Sequence, residues 1–117
     1  MDRDRLDASL RSEFRKAREA RDSGNEGKTR VCARRAAGAA LVYWLESHPR
    51  ENWGADAVSR LRAVAHTAEF PDDVRNAAVR LTSRVTEAFA SQFETDPLED
   101  ALRIIRFFTD TGETESL

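Results

Sequence analysis

An arginine and a histidine four residues apart have the clearest capacity for chemistry in this sequence. Arg62 and His66 lie on one side of a helix if the segment between them is helical. A histidine can move a proton near neutral pH, and a neighbouring guanidinium can stabilise the negative charge of a phosphoryl group. The pair could therefore act on a phosphodiester. The alternative interpretation is a solvated face of an arginine-rich helix with no catalytic role.

A second candidate is a group of basic side chains in the first third of the chain. Residues 11–35 carry nine basic and four acidic side chains, whereas residues 36–117 carry eight basic and fourteen acidic ones. Such asymmetry can indicate a face that binds an anion or RNA. The candidate ligand-binding residues are Arg15, Arg18, Lys28, Arg30, Arg34 and Arg35. The alternative is that the basic stretch pairs with acidic groups of its own fold or of a second subunit.

Other kinds of site are disfavoured. The segment Asp22–Thr29 ends in Gly-Lys-Thr, but a phosphate-binding loop needs glycine where Asp22 stands and a buried strand before it. Two histidines and one cysteine cannot supply a zinc or iron site from His and Cys within one chain, so no metal and no cofactor is expected. Cys32 lies among small residues, which favours a position in the core over a role as a nucleophile.

The elements that must position these residues are all predicted to be helices. Apolar residues recur every three or four positions, the spacing typical of amphipathic helices. The predicted helices cover about residues 4–22, 26–47, 56–68, 70–93 and 97–108. Ser23 and Gly24 mark a tight turn between the first two helices, and Asp96, Pro97 and Glu99 form a strong start signal for the last. The predicted fold is an all-α, five-helix antiparallel up-and-down bundle.

The second predicted helix is expected at the centre of that bundle. Residues 36–45 are almost entirely apolar, and a helix that is apolar on every side is usually surrounded by other helices. One domain is predicted over residues 1–108, followed by a disordered polar tail over residues 109–117.

A homodimer is also predicted, because the chain carries many large apolar side chains for its length. The last helix has two apolar faces, Ile104 with Phe107 and Ile105 with Phe108, which a small core was not expected to bury together. Trp44, Trp53 and Phe70 are the other large aromatic groups that favour a homodimer.

The composition indicates a cytoplasmic protein without a membrane segment. The first ten residues are charged and contain no apolar run typical of a signal peptide. The longest apolar run, residues 36–45, is about half of what a membrane span needs. A lone cysteine excludes an intramolecular disulfide and fits a reducing compartment.

The second predicted helix resembles the signature helix of HEPN domains. The matching segment is Ala33-Arg-Arg-Ala-Ala-Gly-Ala-Ala-Leu-Val-Tyr-Trp-Leu45, in which a run of small residues leads into an Ala-Leu-x-x-x-Leu stretch. The alanine-rich first helix and the short glycine-containing turn that follows it fit the same family. The resemblance covers about residues 10–108. It implies a compact helical bundle that often forms a dimer.

The resemblance implies one of two functions. Some HEPN domains are metal-independent ribonucleases in which four to six residues separate an arginine from a following histidine. Arg60 and His66, with five residues between them, match that spacing. Others are non-catalytic modules that work beside a nucleotidyltransferase and bind nucleotide or a partner. At about 100° per residue, Arg60 lies about 120° around a helix from His66, so the pair converges only if the helix bends or a second subunit contributes.

The function favoured by the sequence is a non-catalytic, HEPN-like module that binds nucleotide, RNA or a protein partner such as a nucleotidyltransferase. The first alternative is a metal-independent HEPN endoribonuclease that uses Arg60 or Arg62 with His66. The second alternative is a dimeric helical scaffold with no role in nucleic-acid binding.

Overall fold

The computed structural model describes residues 2–83 and 96–110 of the chain. These residues form five α-helices and no β-strand: α1 (Arg3–Asp22), α2 (Glu26–Ser47), α3 (Ala57–His66), α4 (Asp72–Thr82) and α5 (Pro97–Asp110). The predicted all-α class is confirmed. The predicted tail lies outside the described residues beyond Asp110, and α5 continues past residue 108 to Asp110 with Thr109 buried.

Polar side chains cap the starts of several helices. Asn25 Oδ1 accepts the backbone N–H of Lys28 at 3.0 Å at the start of α2, and Asp56 Oδ1 accepts that of Ser59 at 2.7 Å at the start of α3. The bonds from Ser59 lower the pKa of the Asp56 carboxyl from its ordinary value. Gly24 has φ +78°, so the turn between α1 and α2 uses the left-handed conformation that glycine adopts readily. These local signals explain why the predicted bounds of α2 are confirmed.

The end of α4 differs from the prediction, which continued this helix to about residue 93. The helix ends at Thr82, and Ser83 adopts an extended backbone with φ −76° and ψ 145°. The hydroxyl groups of Thr82 and Ser83 donate to the carbonyls of Ala78 and Val79 at 2.8 and 2.7 Å. Hydroxyls that bond back to the preceding turn offer the backbone an alternative to further helix. Residues 84–95 lie outside the described residues.

Contacts between helix ends establish the directions of α1, α2 and α5. Arg3, at the start of α1, lies over the ring of Tyr43 near the end of α2, so these two helices are antiparallel. Arg21, near the end of α1, forms an ion pair with Asp96 just before α5, so α1 and α5 are also antiparallel. It follows that α2 and α5 run in the same direction.

Helix α4 runs opposite to α2. Phe70, just before α4, packs against Trp44 near the end of α2, whereas Arg34 in the first half of α2 contacts Leu81 at the end of α4. A strict up-and-down order would make these two helices parallel, so that part of the prediction is wrong. The reason is that Trp53 before α3 and Phe70 after it both pack against Trp44. The chain therefore returns to the same end of α2 before α4 begins.

Helix α2 contacts each of the four other described helices, as predicted for a central helix. Its small residues allow close packing, and Gly38 is buried against α3. A Cβ atom placed on Gly38 would lie 2.7 Å from the Cβ of Ala57. The first residue of α3 therefore lies close against the middle of α2.

The burial of α5 contradicts the reason for which a homodimer is predicted. Helix α5 buries both of its apolar faces in a single chain, with Ile104, Ile105 and Phe108 each less than a tenth exposed and Phe107 packed against the same core. Trp44, Trp53 and Phe70 are also buried. Among the described residues, Val79 is the large apolar side chain that remains exposed, at 45%.

The homodimer itself stays a prediction, without support from those side chains. Light scattering at micromolar concentration measures it directly, and the predicted result is a mass twice that of the 13.2 kDa chain. A mass of 13.2 kDa across the accessible concentration range would show that burial within one chain is sufficient and that the prediction is wrong.

Candidate functional site

A groove lined by three arginines lies between α2, α3 and the end of α4. Its volume is about 360 Å³. Helix α2 contributes Gly27, Arg30 and Arg34, α3 contributes Val58 and Arg62, and the end of α4 contributes Thr82 and Ser83. None of these lining residues is acidic.

Arg30 and Arg34 are presented by α2 on one side, four residues apart. Nη2 of Arg30 donates to the carbonyl oxygen of Arg80 and, at 3.4 Å, to that of Ser83. Nη1 of Arg34 donates to the carbonyl oxygen of Leu81 at 3.3 Å. The last carbonyls of a helix have no partner within the helix, and positive charge is favourable at that end. The two arginines therefore stabilise the end of α4 and are themselves held in position.

A buried ion pair between α4 and α5 supports this arrangement. Arg80 of α4 binds Asp100 of α5 through both Nε and Nη2, with distances from 2.8 to 3.1 Å, and the Asp100 side chain is only 3% exposed. Two parallel bonds between guanidinium and carboxylate fix the geometry of both groups. Because Asp100 is engaged with Arg80, it offsets only part of the positive charge of the groove.

The electrostatics of the groove favour a negatively charged ligand. Burial lowers the pKa of the Arg30 guanidinium from its ordinary value, and the neighbouring charge of Arg34 lowers it further, against the opposing effect of Asp100. Both effects show that positive charge is held here at an energetic cost, although arginine remains protonated. An anion in the groove would remove part of that cost.

Arg62 completes the groove from the opposite wall. It is exposed, one helical turn after Val58 on the side of α3 that faces the groove. The described residues supply no hydrogen bond or ion pair to its guanidinium. Its side chain can therefore adjust to a ligand, in contrast to Arg30 and Arg34.

The structure separates the six residues predicted to bind a ligand into two groups. Arg30 and Arg34 line the groove, whereas Arg15, Arg18, Lys28 and Arg35 are exposed and do not. Helical geometry explains the division within α2, because Arg35 lies about 100° around the helix axis from Arg34. Two of the six residues therefore lie in the groove and four lie outside it, and the assignment of all six to ligand binding stays a prediction.

The predicted ribonuclease pair is not brought together within one chain. Helix α3 is uninterrupted from Ala57 to His66, so Arg60 and His66 keep their separation of about 120° around the helix axis. Arg60 lies about 160° from Arg62 and faces away from the groove. His66 is exposed at the last residue of α3 and is not part of the groove lining.

Sequence reasoning missed the non-basic lining of the groove, formed by Gly27, Val58, Thr82 and Ser83. Thr82 and Ser83 adjoin Arg84, and this run of polar residues was the one available signal of a helix end there. Nothing in the spacing of residues indicated that the end of α4 would meet the first half of α2.

Three further findings concern metal binding, the cysteine and the membrane. In residues 2–83 and 96–110, no three His, Cys, Asp or Glu side chains group closely enough to bind a metal ion. Cys32 is 2% exposed in the core between the helices, as predicted. None of the described helices combines the length and apolar character needed to cross a lipid bilayer.

Comparison with protein-family models, with curated proteins and with solved structures finds no match to this chain.

Proposed function

We propose that this protein is a non-catalytic binding module whose groove takes a phosphate-bearing ligand, a nucleotide or RNA. The observation that carries the proposal is the convergence of Arg30, Arg34 and Arg62 from two helices on one groove without an acidic lining residue. Guanidinium groups form strong paired hydrogen bonds with phosphate oxygens. A volume of about 360 Å³ falls within the usual range for pockets that bind small molecules.

The resemblance of α2 to the signature helix of HEPN domains favours the same role. That resemblance rests on residues 33–45 of α2, and the same helix carries Arg30 and Arg34. Non-catalytic HEPN domains include modules that bind nucleotide or a nucleotidyltransferase. We therefore include a HEPN-like arrangement in the proposal, with the groove as its binding site.

Fluorescence anisotropy of a labelled single-stranded oligouridylate tests the proposal with two matched pairs of variants. Arg62→Met and Arg60→Met remove the same charge from opposite sides of α3, and only Arg62 lines the groove. We expect Arg62→Met to weaken binding about tenfold or more, because a hydrogen bond to a charged group is lost, and Arg60→Met to have little effect. Arg34→Met and Arg35→Met repeat the comparison on α2.

Salt dependence and thermal melts complete the experiment. Affinity of the wild type should fall as salt rises, with a shallower slope in Arg62→Met because fewer phosphates are neutralised. Thermal melts identify any loss of binding in Arg34→Met that comes from a less stable α4. Equal losses in Arg60→Met and Arg62→Met would contradict a specific groove and favour diffuse attraction to basic charge.

The same preparations distinguish binding from catalysis. Bulk RNA incubated with the wild type in the presence of EDTA is expected to stay intact. Cleavage that disappears in His66→Ala would overturn the non-catalytic proposal in favour of the ribonuclease alternative. Absence of both binding and cleavage would contradict the proposal and favour an interaction scaffold.

A further inference from the structure

We infer that the groove recognises a terminal phosphomonoester, carried by a free mononucleotide or by the phosphorylated end of an RNA, rather than the internal phosphodiesters of a strand. This inference rests on the proposed function and specifies its ligand. It follows from the charge of the groove, its size and the donors that remain available in it.

The charge of the groove suits a dianion. A phosphomonoester carries a charge of about −1.5 to −2 at neutral pH and has three strong acceptor oxygens, whereas an internal diester carries a single negative charge. Three guanidiniums line the groove, and the pKa of Arg30 is lowered first by burial and then by Arg34. A ligand with two negative charges relieves more of that repulsion than a ligand with one.

The available donors suit a terminal group with several oxygens. Only Nη2 of Arg30 and Nη1 of Arg34 donate to the end of α4. The other nitrogens of these two guanidiniums have no hydrogen-bond partner among the described residues. The bonds to α4 therefore hold both planar groups in place while leaving N–H donors for a ligand, and a preordered donor loses little entropy on binding. Arg62 supplies a third, adjustable donor from α3.

The size of the groove suits the end of a molecule. Three helices contribute to its lining, and its volume of about 360 Å³ matches one small-molecule ligand rather than several nucleotides in a row. The hydroxyls of Thr82 and Ser83 already donate to carbonyls within α4, so their oxygens can accept hydrogen bonds but their protons are committed. Such acceptors suit the hydroxyl groups of a sugar, and Val58 supplies an apolar contact.

Competition against an oligouridylate that carries a 5′-phosphate and a label at its 3′ end tests the inference with chemically matched probes. The first pair is the same short RNA with a 5′-phosphate or a 5′-hydroxyl end, and the second pair is uridine monophosphate and uridine. We expect the phosphorylated member of each pair to compete at least about tenfold more strongly, the effect of one added charge-assisted hydrogen bond. The preference should disappear in Arg62→Met and persist in Arg60→Met.

The pH dependence provides a second readout. The second pKa of a phosphomonoester is about 6, so the preference for the 5′-phosphate should decrease between about pH 7.5 and about pH 5 as the dianion gains a proton. The 5′-hydroxyl RNA measured at both pH values accounts for any effect of pH on the protein itself.

Each outcome decides between the two proposals. If both RNAs bind equally and Arg62→Met weakens both, the groove binds phosphate but the inference is wrong. If neither RNA nor uridine monophosphate binds, the proposed function fails as well. If the phosphorylated RNA is preferred and uridine monophosphate does not compete, the ligand is an RNA end; strong competition by both identifies the phosphomonoester alone as the recognised group.

Discussion

Replacing Arg80 by methionine is expected to lower the free energy of unfolding by about 3–5 kcal/mol. The substitution keeps most of the volume of the side chain but leaves the Asp100 carboxylate, 3% exposed, without the guanidinium that binds it through two nitrogens. Removing one partner of a buried ion pair is costly because the remaining charge stays out of water with less compensation. Urea denaturation followed by circular dichroism measures the change.

An exposed ion pair between the same two helices provides the control. Arg103 of α5 binds Asp73 of α4 at 2.8 Å, but both side chains are about half exposed. Arg103→Met should leave the denaturation midpoint nearly unchanged, because exposed pairs contribute little. The double variant Arg80→Met with Asp100→Leu should recover most of the loss, since the buried carboxylate is then removed as well. A small effect of Arg80→Met alone would show that water or another group can satisfy Asp100.

Gly38→Ala is expected to destabilise the fold by about 1–3 kcal/mol, the usual cost of overpacking. Alanine favours helix over glycine by about 1 kcal/mol, so local propensity alone predicts the opposite sign. The added Cβ would lie 2.7 Å from the Cβ and 3.3 Å from the Cα of Ala57. Helix α3 must therefore move away from α2, and thermal denaturation should show a lower midpoint.

Two further variants test whether the contact with Ala57 is the cause. Ala57→Gly combined with Gly38→Ala removes the Cβ clash and should restore part of the lost stability. Gly27→Ala adds a Cβ whose one close neighbour is Asn25 Oδ1 at 3.8 Å, so its stability should be unchanged or higher. Because α3 carries Arg62, Gly38→Ala should also weaken RNA binding. Unchanged stability in Gly38→Ala would mean that the two helices separate at little cost.

Local signals were sufficient to predict where most helices begin. Asn25 and Asp56 accept backbone N–H groups three residues later, and Asp96 accepts that of Leu98. Caps of this kind act within a few residues and are therefore visible in the sequence. The end of α4 was not predicted correctly, because apolar spacing continued past Thr82 while the hydroxyls of Thr82 and Ser83 bonded back to the helix.

The candidate site was predicted in part. Arg30, Arg34 and Arg62 were identified from the charge of the sequence and from the spacing around His66, but in two unrelated hypotheses. The structure brings these three side chains to one groove and leaves Arg15 and Arg35 outside it. Which arginines of α2 enter the groove depends on the side of α2 that faces α3 and α4. The sequence does not indicate that side, because arginines lie on more than one side of α2.

The sequence by itself determined the helical class, the starts of the helices and a central α2, because periodicity and capping are properties of neighbouring residues. Only the tertiary structure decided the order of the helices, the burial of both apolar faces of α5 and the partners of the arginines. Those features depend on contacts between residues far apart in the chain, such as Gly38 with Ala57, Arg34 with Leu81 and Arg80 with Asp100. A local pattern cannot specify such contacts, since each requires two helices to meet at one register and one angle.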